Sequence, residues 1–106
     1  MYKMKYIIVI TTVGNEEDAE DLAKKIVSSK LGACVQINKI KSYYAWKGNL
    51  EMSGEFRLMI KTTKSKYGLL QKFIIKNSKY DTPEIISVNI ENGYNEYLKW
   101  IDKELK

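Results

Sequence analysis

The one cysteine of the chain lies in an apolar segment, between Ala33 and Val35. A thiolate is a ligand that soft metals such as copper prefer, so Cys34 is the candidate metal ligand of this sequence. The alternative is a small buried side chain, which is a common role for a free cysteine. Because the chain contains no histidine, it lacks the most frequent base near neutral pH, and Ser–His or Cys–His nucleophile pairs are excluded.

A second group of polar side chains surrounds the only proline, Pro83. Tyr80, Asp81 and Glu84 offer hard oxygen atoms that suit a divalent cation, although a polar loop with capping hydrogen bonds would use the same residues. Lys61, at the end of a strand-like segment, either points into a cleft between subunits and holds an anion or is a solvated strand-end lysine. We predict that Lys61, Tyr80, Asp81 and Glu84 line a ligand cleft.

Two long strand-like segments between residues 33 and 63 carry Cys34 and Lys61. The second alternates with a period of two, which predicts a strand; its apolar set is Leu50, Met52, Phe56, Leu58 and Ile60. Lys47-Gly48-Asn49 joins the segments with residues that tolerate positive φ, as a tight hairpin turn requires. In the first segment the alternation slips by one residue after Asn38, which predicts a β-bulge.

The far end of this predicted hairpin carries three aromatic residues, Tyr43, Tyr44 and Trp46. Each arm is about twice the typical strand length of about 5–6 residues, so the hairpin would extend past its own domain. Exposed aromatics and unpaired strand edges favour association. We therefore predict that the three aromatic residues pack against another copy of the chain, rather than stack on a ligand ring.

The first helix is the best-defined element before the hairpin. Residues 6–10 predict a central strand that is buried on both faces. Asn15 then occupies an N-cap position ahead of three acidic residues, and Gly32 occupies a C′ position. Between them, apolar residues recur at helical spacing: Ala19, Leu22, Ala23, Ile26, Val27 and Leu31.

The remaining elements define the fold class. A second helix is predicted to start near Ser65, a last strand to run over residues 84–90, and a short helix to start at about Asn95. The order β-α-β-β-α-β plus a terminal helix is the α+β, ferredoxin-like arrangement, an antiparallel sheet with both main helices on one face. We predict one domain over residues 1–106.

Composition limits the classes of function and partner. The chain has 106 residues and a net charge of +5, but 17 of its 18 basic residues are lysines with acids between them, which indicates a solvated surface more than a nucleic-acid site. The third strand carries two glutamates where an RNA-binding module of this strand order has its aromatic readers. A small phosphatase on the same fold has weak support, since residues 12–15 offer no arginine.

No membrane partner is expected either. The chain has no apolar run of about 18 residues, so we predict no membrane span. The apolar run near the N-terminus is too short for a signal-peptide core, and a lone cysteine suits a reducing compartment. Both observations predict a cytoplasmic protein.

Several collinear segments resemble the CutA family of divalent-cation-tolerance proteins. They are residues 21–23, 31–35, 42–48, 60–62, 80–86 and 97–100. The resemblance implies a homotrimer whose long hairpins pair edge to edge, a role in the response to divalent metals, copper or another divalent cation as a ligand, and no enzymatic activity. The fold also resembles that of nitrogen-regulatory signalling trimers, so the alternative is a small-anion or metabolite-binding trimer with no role in metal response.

The ligand positions implied by the resemblance are only partly kept. The family cysteine is present as Cys34. Some bacterial members have a second cysteine where this chain has Thr11, and many have a histidine where it has Ser78. Since copper prefers thiolate and imidazole, two hydroxyl replacements disfavour tight copper binding.

Overall fold

Four antiparallel strands form a single sheet in the order β2-β3-β1-β4. The structure is a computed structural model that describes residues 5–106. Residues 1–4 of the predicted domain lie outside it. The elements are β1 (Tyr6–Val13), α1 (Glu16–Ser28), β2 (Cys34–Trp46), β3 (Asn49–Thr63), α2 (Tyr67–Asn77), β4 (Ile85–Asn89) and α3 (Asn95–Glu104). The predicted ferredoxin-like order with a terminal helix is confirmed.

The two faces of the sheet are covered differently. The helix face, which carries Val9, Leu58 and Ile60, packs against α1 and α2 and forms the main core. Among residues 5–106, the open face, which carries Tyr6, Ile8 and Lys61, is covered only at one end, where α3 packs on Tyr6. Strand β1 was predicted to be buried on both faces, but on the open face Ile8 is only half-buried within one chain.

Helix α1 begins as predicted and ends differently. Asn15 is the N-cap, and its Oδ1 accepts a hydrogen bond of 2.9 Å from the amide of Asp18. At the other end Lys30, with φ 59°, takes the left-handed C′ position that was predicted for Gly32. The Lys30 amide donates to the Val27 carbonyl at 3.0 Å, as in a Schellman ending.

Gly32 is required for a close approach instead. A Cβ at this position would lie 2.6 Å from Ile60 Cγ2 and 2.9 Å from Ile26 Cγ2. The backbone of Gly32 therefore fills the gap between α1 and β3, where no side chain fits. This contact fixes the direction in which the chain enters β2.

The hairpin of β2 and β3 is paired without interruption, so the predicted bulge is wrong. The register runs from Cys34 opposite Lys61 to Trp46 opposite Asn49. The apolar side chains of β2 change from the helix face to the open face where the hairpin extends past the helices. The apolar alternation in the sequence therefore slips by one residue although the strand pairing is continuous. Lys47 and Gly48 form the turn, with φ 51° and 81°.

The last three elements are close to their predictions. Helix α2 follows a 3₁₀ turn at Lys64–Lys66, with Leu70 and Ile74 buried. Strand β4 is shorter than predicted at both ends. Ile101 of α3 and Leu105, the C-cap of α3, are buried against Ala33.

Helix α3 is also held by polar contacts. Asp102 accepts a hydrogen bond from the Tyr6 hydroxyl. Its Oδ1 also forms an ion pair with Lys5 Nζ at 2.9 Å. None of the helices within residues 5–106 combines the length and apolar character that crossing a bilayer requires.

Candidate functional site

Cys34 lies on the open face of the sheet, beside Lys61. The two residues are cross-strand partners at the base of the hairpin, and both are half-buried. Lys61 Nζ lies 5.6 Å from the ring centroid of Tyr97, which stacks on Trp100 at a centroid distance of 5.6 Å. Helix α3 therefore holds an ammonium group on the same face as the thiol.

The three positions implied by the family resemblance do not meet within one chain. Thr11 points to the helix face, since it pairs with the core residue Leu58, whereas Cys34 is on the open face. Ser78 is the C-cap of α2, and its Oγ accepts a hydrogen bond of 3.0 Å from the Tyr80 amide. The described residues contain no group of three His, Cys, Asp or Glu side chains that could hold a metal ion. These residues do not form a copper site in the single chain.

A cleft of about 390 Å³ lies between the start of α1 and the segment that connects α2 to β4. Lys79 Nζ pairs with Asp18 Oδ2 across it, at 2.9 Å. The hydrogen bond from Lys79 lowers the pKa of Asp18, and the same bond raises the pKa of Lys79. Both groups are charged at neutral pH, and each neutralises the other across the cleft.

Tyr80 closes one side of this cleft. Its hydroxyl donates a hydrogen bond of 2.9 Å to Glu55 Oε2 on β3 and lies 3.6 Å from the place where a Cβ on Gly14 would be. Burial, followed by the bond to Glu55, raises the pKa of Tyr80 to about 12. The phenol is therefore a hydrogen-bond donor at neutral pH, and it ties the α2–β4 segment to the hairpin.

The predicted ligand cleft is only partly assembled in one chain. Tyr80 lines the cleft beside α1, while Asp81 and Glu84 are exposed and make no hydrogen bond or ion pair within residues 5–106. Lys61 is in the row of Ile8, three rows from the row of Thr11, where β4 begins at Ile85. Three rows along a strand correspond to about 10 Å, so Lys61 is apart from the other three residues.

The predicted interface residues all lie on the distal hairpin and are exposed. Tyr43 and Trp46 are 63% and 60% exposed, and Tyr44, also exposed, contacts Ser53 Oγ through its hydroxyl at 2.7 Å. Two further exposed apolar residues, Leu50 and Met52, were missed as interface candidates. The period-two alternation that placed them with Leu58 could have identified them, had its extension past the helices been recognised.

The residues of the Asp18–Lys79 pair and of the Asp102 cluster were also missed. Each contact joins residues far apart in the sequence, 61 positions for Lys79 to Asp18 and 96 for Tyr6 to Asp102. No local pattern indicates such pairs. Chemically, the described side chains offer polar and apolar binding surfaces, and the chain has no imidazole for acid–base work.

Comparisons with known proteins identify the family. Residues 7–104 match the family described as CutA1 divalent ion tolerance protein. The divalent-cation tolerance protein CutA of Archaeoglobus fulgidus is 36% identical over 98 residues, covering 92% of this chain and 96% of that protein. The chloroplastic protein CutA 1 of Oryza sativa is 41% identical over 96 residues, covering 90% of this chain and 54% of the rice protein.

Solved structures agree with the sequence matches. The structure of the A. fulgidus protein, described as a periplasmic divalent cation tolerance protein CutA, superimposes with a TM-score of 0.93 at 35% identity and covers 95% of this chain and 99% of its own. CutA from Synechococcus elongatus superimposes with a TM-score of 0.95 at 28% identity, covering 100% of this chain and 95% of its own. The chain thus shares sequence and fold with these proteins over almost all of its length, and it belongs to the CutA1 family of divalent ion tolerance proteins.

Proposed function

We propose that the chain acts as a non-catalytic homotrimer in the response to divalent cations. Membership of the CutA1 family supports the role in cation tolerance, because its relatives carry that name. The observation that carries the trimer is the distal hairpin, residues 41–54. It projects beyond the helices and exposes apolar side chains to water on both of its faces.

The two faces of the distal hairpin need separate cover. Tyr43, opposite Met52, points to the same side as the helix face, whereas Tyr44 and Trp46 point to the opposite side. Burying apolar surface contributes roughly 25 cal/mol per Å², so both sides favour contact with a neighbour. In a cyclic ring each subunit has two neighbours, but in a two-fold dimer it has one. Two-sided exposure therefore supports a ring, and the family resemblance selects three subunits.

The uncovered part of the open face adds a second apolar surface. Ile86 and Val88 of β4 are exposed there, beside the half-buried Ile8 and Ile10 of β1. Neither helix α1 nor α2 lies on this side, so another subunit is the available cover. Light scattering of the purified chain tests the assembly. A mass of three times 12.3 kDa supports the proposal, and a monomer or dimer at micromolar concentration overturns it.

We propose Cys34 as the metal contact, completed by donors from a neighbouring subunit. The other donors have to come from a neighbouring subunit, because residues 5–106 contain no group of three His, Cys, Asp or Glu side chains that could hold a metal ion. The test is a titration of the reduced protein with copper by calorimetry, with Cys34→Ser as the control. Saturable binding tighter than about 1 μM, or roughly −8 kcal/mol, that is lost in the control supports the contact. Binding that is unchanged in Cys34→Ser rejects Cys34 as the contact, and no binding rejects copper as the ligand.

The small-anion alternative has less support. Its support was the likeness of the fold to nitrogen-regulatory trimers, whereas this chain matches proteins named for divalent-cation tolerance. We further propose a cytoplasmic location, which is supported by the lone cysteine. Fractionation of cells that express the chain tests it, and recovery in the periplasmic fraction, as the A. fulgidus protein's description implies for that protein, would contradict it.

A further inference from the structure

We propose that Asn92 is a site of spontaneous deamidation, and that its isoaspartate product loosens the docking of α3. Asn92-Gly93 is the only Asn–Gly pair in the chain. It lies in an exposed segment between β4 and α3, outside any helix or strand. This inference does not depend on the trimer or on a metal.

The reaction needs only water. The backbone nitrogen of Gly93 attacks Cγ of Asn92, a C–N bond forms, and the bond to the side-chain nitrogen breaks. Ammonia leaves with the proton from the Gly93 amide. Water then opens the five-membered imide. Cleavage at Cγ gives aspartate, and cleavage at the main-chain carbonyl gives isoaspartate. Glycine favours the attack because no Cβ hinders the approach.

The other six asparagines are held by the fold. The Asn15 side chain caps α1, and the Asn77 Nδ2 donates a hydrogen bond of 2.8 Å to the Phe73 carbonyl. The remaining four lie within regular elements: Asn38, Asn49, Asn89 and Asn95. The Asn92 side chain and the Gly93 amide, by contrast, make no hydrogen bond to other groups of residues 5–106. The one Asn–Gly pair of the chain is therefore exposed and without a hydrogen bond among residues 5–106.

The consequence follows from how this segment is anchored. The Ile90 amide donates to the Tyr6 carbonyl at 2.9 Å, which fixes one end. At the other end, a Cβ on Gly93 would lie 2.8 Å from Leu98 Cδ2, so the Gly93 backbone lies directly against α3. Leu98 in turn packs on the small cluster that holds α3 to the sheet.

Isoaspartate lengthens the main chain by one carbon between these two anchors. Only residues 91 and 92 separate them, so the extra length displaces either the Ile90 bond or the contact between Gly93 and Leu98. The aspartate product has no such effect. It places a carboxylate close to the N-terminus of α3, where the helix dipole favours negative charge. The two products should therefore differ in how firmly α3 is held.

The experiment ages the full-length protein at mildly alkaline pH and maps its peptides by mass spectrometry. Fragmentation that separates isoaspartate from aspartate identifies the residue at position 92. Hydrogen exchange measures the amide exchange rates of residues 95–104. We expect loss of intact Asn92, formation of both products and faster exchange in α3, while the peptide that contains Asn77 stays intact. Asn92→Gln should show neither change, because glutamine would have to form a larger and slower ring.

Two outcomes would overturn the proposal. In the first, Asn92 stays intact in the folded chain while urea-unfolded chain deamidates there, which would mean that the fold protects the pair. In the second, isoaspartate forms but exchange in α3 equals that of Asn92→Gln, which would mean that the segment absorbs the extra carbon. Gly93→Ala is unsuitable as a control, because its Cβ collides with Leu98.

Discussion

Strand β3 passes through two environments, and comparing its halves shows what an alternating pattern can establish. In residues 56–63, Leu58 and Ile60 are fully buried beneath α1 and α2. In residues 49–54, Leu50 is 83% exposed although it points to the same face. The alternation and the pairing with β2 are continuous across both halves. The pattern therefore tells which residues share a face, and only the length of the helices decides whether that face is covered.

The largest expected effect is the difference in stability between two variants of β3, each with one leucine truncated to alanine in a different half of the strand. Leu58→Ala should lower the free energy of unfolding by about 2–5 kcal/mol, because it leaves a cavity in the core. Leu50→Ala should change the unfolding of the separated chain by only about 0.5 kcal/mol. Urea unfolding at several protein concentrations measures both, since association adds a concentration dependence. Equal losses in the two variants at low concentration would refute the comparison.

The next effect tests whether the distal half is covered by another copy. Trp46→Ala should weaken assembly by about 2 kcal/mol or more, as expected of an aromatic at the centre of an interface. Sedimentation over a range of concentrations measures the shift from assembled to single chains. Leu69→Ala, an exposed position on α2, is the matched control and should leave assembly unchanged. If Trp46→Ala assembles like the control, the hairpin is not the interface.

A smaller effect sharpens the comparison on the helix face of the sheet, where two buried threonines differ in one contact. Thr62 Oγ1 donates a hydrogen bond of 2.8 Å to the Leu31 carbonyl, whereas Thr11 Oγ1 has no partner among the described residues. Thr11→Val should therefore stabilise the chain by about 1 kcal/mol. Thr62→Val should destabilise it by about 1–3 kcal/mol, since the Leu31 carbonyl loses its partner. Thermal unfolding reads both changes, and a loss of stability in Thr11→Val would reveal a partner for its hydroxyl.

The smallest effect concerns α3, which among residues 5–106 is the one helix on the open face. Burial acts to raise the pKa of Asp102, but the hydrogen bonds from Lys5 and Tyr6 outweigh it and hold the pKa below its usual value. The charged carboxylate therefore stabilises the folded chain fully above about pH 4, and this stabilisation is lost as the pH falls through the lowered pKa. Since Lys5 is well exposed, the contribution should be about 1 kcal/mol or less.

Unfolding measured from neutral to acidic pH tests this contact. Asp102→Asn should flatten the acidic part of the profile. Glu96→Gln removes the exposed Lys99–Glu96 pair of the same helix and should leave the profile unchanged. In alkali the contact is lost again as the pH rises through the raised pKa of Tyr6, which its bond to Asp102 and then its burial push upward. A profile that is the same for both variants would show that Asp102 does not hold α3.

Local chemistry made most of the fold predictable. Asn15 as a cap, the turn at Lys47-Gly48 and the spacing of buried residues in α2 are each fixed by a few neighbouring side chains. Two of the errors arose where tertiary contacts decide. Lys30, not Gly32, adopts the left-handed conformation, while Gly32 serves the close approach to Ile60, and the slip in β2 reflects the end of helix cover, not a bulge.

The candidate site was less predictable for the same reason. Lys61 and Tyr80 were assigned to one cleft by residue type alone, Lys61 as an anion ligand and Tyr80 as an oxygen donor beside Pro83. Their separation depends on which row of the sheet each occupies, and that follows from pairing between distant strands. The contacts of Tyr80 with Glu55 and of Lys79 with Asp18 likewise join distant residues.

The two-residue turn at Lys47-Gly48 also has a consequence for the order of folding. Pairing of β2 with β3 can start three residues apart, at Trp46 and Asn49, and extend towards the base one row at a time. Strand β1 must instead meet β3 and β4 across most of the chain, so its loop closures carry a much larger entropic cost. We therefore expect the hairpin to form first and the closure of the sheet around β1 to limit the folding rate. A nascent chain would then display the apolar faces of its hairpin before its own core is complete.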